Sequence, residues 1–313
     1  MLYFILPIVR QNDPLVGYLA QWGQSVANRV QIVDYHGTVA IGGFRGACVF
    51  LVGVQRGGPI EGETSQLSDF IATRAPGLRQ LNRPGAPLAR ADLLRRLHDT
   101  GFNAYNVFRL DEIDGIAHYP VYLRAEGKQG EMSGLLADRR QLDEAIAAAV
   151  ADGREPARLL IAEFEDTSTH GVFRKYSAVK VGDRIIAHHI FFSRNWIVRA
   201  ENLLPFTREM IAEEAEFQQS NPHLDAVAEA FSIAQIDFGR IDYAVDNGRV
   251  QVWEINTNPV LLQPKSYYTP MQMPNKVWFA NALNEELRKL SRSRPTDPLA
   301  TGDTAAMQPA SLH

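Results

Sequence analysis

Four side chains late in the chain have types and spacings suited to a charged, metal-bound group: Arg240, Asp242, Glu254 and Asn256. They lie in Arg240-Ile-Asp-Tyr-Ala-Val-Asp-Asn-Gly-Arg-Val-Gln-Val-Trp-Glu-Ile-Asn-Thr-Asn-Pro259, which reads as a β-hairpin turning at Asp246-Asn-Gly248. Strand side chains alternate between faces, so the turn decides which of them meet. A two-residue turn at Asn247-Gly248 puts Asp242 and Glu254 on opposite faces. A three-residue loop, with Gly248 left-handed as a bulge, pairs Val245 with Arg249 and Asp242 with Val252, so Glu254 and Asn256 share the face of Asp242. The three-residue loop is expected, because it gathers an all-oxygen cluster of the kind a hard cation such as Mg²⁺ prefers. Arg240 falls on that face too, in place to pair with a phosphoryl or carboxylate group held by the metal. The competing reading is the solvated face of an ordinary hairpin.

The rest of the chain must position this face. Residues 2–9 have a buried-strand pattern, in which Pro7 points to an edge or a bulge. Pro14 opens an amphipathic helix with apolar positions at Leu15, Tyr18, Leu19, Trp22 and Val26. Residues 30–35 and 47–54 are β-branched runs bounded by glycine, and the alternation predicts a parallel sheet in a first α/β unit. A helix over 88–100, closed by Gly101, precedes a strand over 119–124 and a polar loop with three glycines over 125–134. An alanine-rich helix over 135–151 follows. Strands are expected over 159–164, 173–181 and 184–192, helices over 208–219 and 224–232, and strands over 235–245 and 249–255.

Composition limits the classes available. The chain has 313 residues, 45% apolar and 22% charged, which is globular and not disordered. A net charge of -4 gives no general attraction to nucleic acid or anionic membrane. The single cysteine, Cys48, excludes an intramolecular disulfide and a Cys-rich zinc site and fits a reducing compartment. The first apolar run is too short to span a membrane and lacks the layout of a signal peptide, so a cytoplasmic protein is expected.

The pattern Arg-Ile-Asp-Tyr, a short hairpin, then Glu-Ile-Asn-Thr-Asn-Pro resembles the metal-binding signature of the ATP-grasp superfamily, of the D-alanine–D-alanine ligase type. The resemblance covers about residues 82–260. It implies that Asp242, Glu254 and Asn256 bind two magnesium ions (with Mn²⁺ as a substitute) bridging the ATP phosphates, and that Arg240 contacts the transferred phosphoryl group. The loop Glu126-Gly-Lys-Gln-Gly-Glu-Met-Ser-Gly134 then corresponds to a glycine-rich loop over the phosphates, with Lys128 and Ser133 as donors. Arg124 stands where the family usually has a strand-borne Lys; it keeps the charge but not the shape. Glu163, Phe164 and Glu165 fall on the hinge strand whose backbone reads adenine. Arg90 falls near a phosphate-binding position, and Lys175 where a Lys points to the γ-phosphate.

The resemblance implies an α/β pre-domain followed by ATP-grasp α+β subdomains with the nucleotide in the cleft between them. The expected division is 1–85 for the pre-domain, 86–158 for the first subdomain, 159–290 for the second, and 291–313 as a disordered Pro-, Ser-, Thr- and Ala-rich tail. The activity implied is an ATP-dependent carboxylate–amine ligase acting through an acyl phosphate on an amino acid, a peptide or a small carboxylic acid. No nucleic-acid or membrane partner is expected, and homo-oligomerisation stays open. A phosphotransferase on the same fold and a non-catalytic nucleotide-binding protein are the alternatives. Two departures bear on the substrate: Val260 follows Pro259 where family ligases have Gly, and the first unit has no diagnostic motif. His188-His189 reads as strand packing, because neighbours on a strand point to opposite faces. Gly42, Gly43 and Gly46 lack the spacing of a dinucleotide-binding loop.

Overall fold

The computed structural model describes residues 1–41, 46–126 and 133–293. Strands β1 (Leu2–Leu6), β2 (Val30–Asp34), β3 (Ala47–Phe50) and β4 (Arg79–Leu81) form a parallel sheet in the order β2-β1-β3-β4. The alternation of β1 serves two cores: Leu2, Phe4 and Leu6 face one, Tyr3 and Ile5 the other. This interior position corrects the edge or bulge expected from Pro7, which stands just past the strand end, where no ladder N–H is needed.

Helix α1 (Pro14–Gln21) has its proline in the first turn and buries Leu15 and Tyr18 in the first core. Helix α2 (Glu61–Arg74) covers the other face, and the sequence pattern does not reveal it. Its buried positions are Thr64, Ser68 and Ile71; the two hydroxyls donate to the Gly53 carbonyl and to Gln80 Oε1, each at 2.6 Å. Hydrogen bonds stand where an apolar stripe would otherwise be read.

Helix α3 (Arg90–Asp99) ends in Thr100 and a left-handed Gly101, as expected. Strands β5 (Val107–Phe108), β6 (Val121–Ala125) and β7 (Leu159–Glu163) form an antiparallel sheet, β5-β7-β6, on which helix α4 (Arg139–Ala151) packs Leu142 and Ala149. Strands β8 (Phe173–Val181), β9 (Arg184–Ser193), β10 (Phe238–Asp246) and β11 (Arg249–Asn256) form the third sheet, β11-β10-β8-β9, also antiparallel. Helices α5 (Arg208–Ser220), α6 (Leu224–Ala234) and α3 share one core with it: Leu94, Phe217, Phe231, Ile241 and Val252 are buried together.

Helix α7 (Met273–Leu290) is a second element the sequence reading leaves out, although Phe279, Leu283, Leu287 and Leu290 make a regular stripe. That stripe enters the same core as Leu2, Phe4 and Leu6. The N-terminal amino group donates to the Ser291 carbonyl at 2.7 Å and the Gly46 N–H to that of Ser293 at 2.8 Å. Residues 291–293 are therefore ordered against the chain start, and the remainder of the expected tail lies outside the described residues, as do 42–45 of the glycine cluster. Among the described residues no helix is long and apolar enough to cross a membrane.

Candidate functional site

The hairpin turn differs from expectation. Asp246 pairs with Arg249, and Asn247 and Gly248 both have positive φ, +47° and +79°. This is a two-residue turn of the mirror-image type that Asn-Gly favours, and its twist suits a hairpin. Taken alone it would set Asp242 and Glu254 on opposite faces. A bulge at Trp253 restores the parity: Tyr243 pairs with Val252, but Asp242 pairs with Glu254 and Arg240 with Asn256. The expected face is assembled by another device. The signal lies in the sequence, where apolar positions 250 and 252 are followed by Ile255, so the period of two slips by one residue at Trp253.

The same row continues across the sheet. Ser177 pairs with Asp242, and His189 with Ser177. His189, Ser177, Asp242 and Glu254 therefore stand side by side on β9, β8, β10 and β11. Asp242 is buried and held from three sides. Arg240 grips it with two bonds, Nε to Oδ1 at 2.7 Å and Nη2 to Oδ2 at 3.0 Å, and the Ser177 hydroxyl donates to Oδ1 at 2.8 Å. Lys175 Nζ is 3.9 Å from Oδ2 and donates to the Val198 carbonyl at 2.9 Å. Burial alone would raise the Asp242 carboxyl; Arg240, then Lys175 and the hydrogen bonds, hold it below its ordinary range. Burial alone would lower the Arg240 guanidinium, and Asp242 raises it above its usual value. Arg240 also donates from Nη1 to the Val260 carbonyl at 2.9 Å.

Arg90, at the start of α3, pairs with Glu254 Oε2. Burial lowers its pKa, Glu254 raises it and Arg124 lowers it, which places a second guanidinium beside the first. Arg124 is buried on β6 and shares with Arg90 and Glu254 the surroundings of the Tyr105 hydroxyl. The structure thus brings Arg90, Arg124, Lys175, Arg240, Asp242 and Glu254 together. Asn256 follows Glu254 on the same face, with its Oδ1 accepting from the Asn258 N–H at 2.9 Å.

The remaining expected positions differ. Glu163 Oε2 accepts the Asn106 N–H at 2.8 Å, and the backbone N–H groups of Glu163 and Phe164 donate at 3.0 Å to the Asn106 and Pro120 carbonyls. Both N–H groups are occupied, so neither is free to read a base edge. The Glu165 carboxyl is raised by burial and by Asp246 and Asp166. The Ser133 hydroxyl accepts the Leu123 N–H at 2.9 Å and donates to the Gly134 carbonyl at 2.8 Å, which ties the loop end to β6. Lys128 lies outside the described residues.

Ser177 and His189 are the site residues that sequence reasoning passes over. Ser177 is unremarkable within its strand, and the histidine pair is set aside on strand alternation. A bulge at His188 breaks that alternation and brings the two rings to 4.2 Å, a correction to the expected opposite-face placement. Each is still packed, His188 against Phe279 and His189 against Phe191. His189 Nε2 lies 3.1 Å from Ser177 Oγ. Because the one Ser177 proton goes to Asp242, the imidazole donates from Nε2–H. Burial, reinforced by nearby cations, drives both histidines well below their ordinary pKa. A cavity of about 470 Å³ lies elsewhere, among Phe102, His223, Glu229 and Arg249, and none of the expected residues lines it.

No protein-family description and no curated protein matches the sequence. Solved structures do. A RimK-domain ATP-grasp protein from Sphaerobacter thermophilus is 15% identical, with a TM-score of 0.52 over 91% of this chain and 98% of that one. The VanG D-Ala:D-Ser ligase from Enterococcus faecalis is 12% identical, with a TM-score of 0.51 over 93% and 98%. The chain has the ATP-grasp fold.

Proposed function

We propose that the protein is an ATP-dependent carboxylate–amine ligase that works through an acyl phosphate. The observation that carries this reading is the set of cations gathered at one pair of carboxylates. Arg240 and Lys175 stand at Asp242 and Arg90 at Glu254, none of the three side chains more than 19% exposed, with Arg124 beside Arg90. Largely buried cations grouped in this way suit an anionic ligand, and a nucleotide polyphosphate is one of suitable size and charge.

Asp242, Glu254 and Asn256 are the residues that would hold magnesium. They present only oxygen donors, and their carboxylates face each other across one strand pair. Among the described residues no three His, Cys, Asp or Glu side chains gather into a metal cluster, so a magnesium ion held here would take its remaining ligands from phosphate and water, as Mg²⁺ prefers. The metal supplies neutralisation of charge on the transferred phosphoryl. The protein's own part is positional. Arg240 and Arg90, each paired with a carboxylate, are placed to bind phosphate oxygens of a nucleotide seated at this face. Arg124 holds the inner phosphates and Lys175 the outer one. With the N–H groups of Glu163 and Phe164 occupied, the backbone of Glu165, just past the end of β7, is the position left to read the base. The second substrates are a small carboxylate, such as an amino acid or peptide, and an amine.

Calorimetry with ADP and a non-hydrolysable ATP analogue, with and without Mg²⁺, tests the site. Magnesium-dependent binding is expected, and no binding in either condition refutes the reading. Release of ADP that requires both a carboxylate and an amine separates a ligase from a phosphotransferase. Glu254→Gln keeps the shape and removes a metal-binding charge, so it should abolish magnesium-dependent turnover while the fold persists; retained turnover overturns the metal assignment.

A further inference from the structure

The bulge at Trp253 decides where Glu254 stands, and something must hold the bulge in place. β11 is an edge strand. Its outward backbone groups at Val252, the residue just before the bulge, need partners other than another strand. Asn103 supplies them. Its Nδ2 donates to the Val252 carbonyl at 2.9 Å and its Oδ1 accepts the Val252 N–H at 2.9 Å. The Tyr105 hydroxyl donates to the same carbonyl, and the Ala104 N–H donates to Gln251 Oε1 at 2.7 Å. One side-chain amide thus does for Val252 what a neighbouring strand would do. Asn103 is 2% exposed, so these bonds form away from competing water.

The segment carrying these residues joins α3, which begins with Arg90, to β5, whose sheet carries Arg124. The seam at Val252 therefore does two things. It fixes where the ladder slips by one residue, and it sets the strand bearing Glu254 against the elements bearing its cationic partners. We infer that Asn103, supported by Tyr105, is a positioning residue for the candidate nucleotide site, acting through the Trp253 bulge on Glu254. The inference rests on the function proposed above for the role of Glu254, but the pinning itself does not depend on nucleotide.

Two measurements test it. The first uses the nucleotide-free protein and follows backbone amide exchange in Asn103→Leu, which matches Asn in size and cannot hydrogen-bond. Pinning predicts loss of protection from Val252 through Asn256, with β8 and β9 still protected. Loss confined to Val252 means the bond is only local and overturns the inference, whatever the protein binds. Should Asn103→Leu not fold, Tyr105→Phe removes one bond to the same carbonyl and must weaken protection over the same residues; protection unchanged there overturns the inference.

The second measurement is a double-mutant cycle on ADP affinity. Asn103→Leu should lower the magnesium-dependent affinity by about tenfold, the effect of one or two buried hydrogen bonds, and leave the magnesium-free affinity as it was. In the Glu254→Gln background it should add nothing. Equal losses with and without magnesium, or additive losses in the cycle, identify a general structural role and refute positioning. Absence of any nucleotide binding by the unmodified protein refutes the proposed function instead, and the exchange experiment still decides the pinning.

Discussion

Lys276 on α7 and Glu214 on α5 form an ion pair 2.6 Å apart, with only 4% of each side chain exposed. Glu214 also accepts from Asn275 Nδ2 at 3.2 Å and from the Ile190 N–H at 3.2 Å. The pair joins two helices to β9 beneath the His188 and His189 rings. Replacing Lys276 by Met keeps the volume but leaves a buried carboxylate with two neutral donors. Breaking such a pair from one side costs about 3–5 kcal/mol; the two remaining donors favour the lower end, about 3 kcal/mol. At about 2.1 cal/mol/K of unfolding entropy per residue, that corresponds to about 4–5 °C in the unfolding midpoint of this 313-residue chain. Calorimetric or denaturant unfolding of Lys276→Met, Glu214→Gln and the double variant reads the effect. The double variant should be more stable than Lys276→Met alone, because the uncompensated charge is gone. Lys289→Met, which breaks the exposed pairs with Glu285 and Glu286, should leave the midpoint unchanged. A Lys276→Met loss below about 1 kcal/mol, or a double variant weaker than the single, would refute the argument that this pair is desolvated.

Two further predictions concern other buried polar groups. Asn82, in the left-handed region at φ +53°, donates to the Phe50 and Phe238 carbonyls and accepts from the Asp237 and Phe238 N–H groups; Asn82→Ala should cost about 3–4 kcal/mol in denaturant unfolding by orphaning buried backbone groups, and a cost equal to that of an exposed alanine substitution would contradict the stapling role. His188 and His189 stay neutral when folded, because burial lowers both below the unfolded value near 6.5. Their contribution to stability is therefore present above pH ~6.5 and lost as pH falls below it, by up to ~1.4 kcal/mol per pH unit for each ring. Unfolding midpoints of His189→Gln between pH 7 and 5 should fall less steeply than those of the unmodified protein; identical slopes would show that this ring does protonate in the fold.

Much of the architecture was legible because it rests on periodic burial. The buried run of β1, the proline-led α1, the glycine-closed α3 and the β8–β9 pair follow from where apolar residues recur, whereas the interior place of β1 in its sheet does not. Helix α2 was not legible, because Thr64 and Ser68 bury hydroxyls that the backbone and a glutamine satisfy, and hydropathy does not register a hydrogen-bonded face. Helix α7 was legible and passed over: its stripe of Phe279, Leu283, Leu287 and Leu290 has the period of a helix. Its destination was not, since nothing local says that a late helix completes the core of the first strands.

The site shows how a correct grouping can follow from an incorrect device. Asp242, Glu254 and Asn256 can share one face through either a three-residue loop or a two-residue turn with a bulge, and the chain adopts the second. The two make different predictions for the core. A three-residue loop puts Val250 and Val252 on the face of Asp242, beside charged groups. The two-residue turn keeps both valines in the core with Ile241 and Tyr243, and then needs one extra residue before Glu254. Burial of two valines favours the second by about 3–6 kcal/mol on the scale of full side-chain burial, more than a local bulge costs to hold when Asn103 satisfies its backbone. The apolar spacing 250, 252, 255 encodes this outcome. The partner that stabilises it stands 149 residues away in the chain, and no local pattern could have named it.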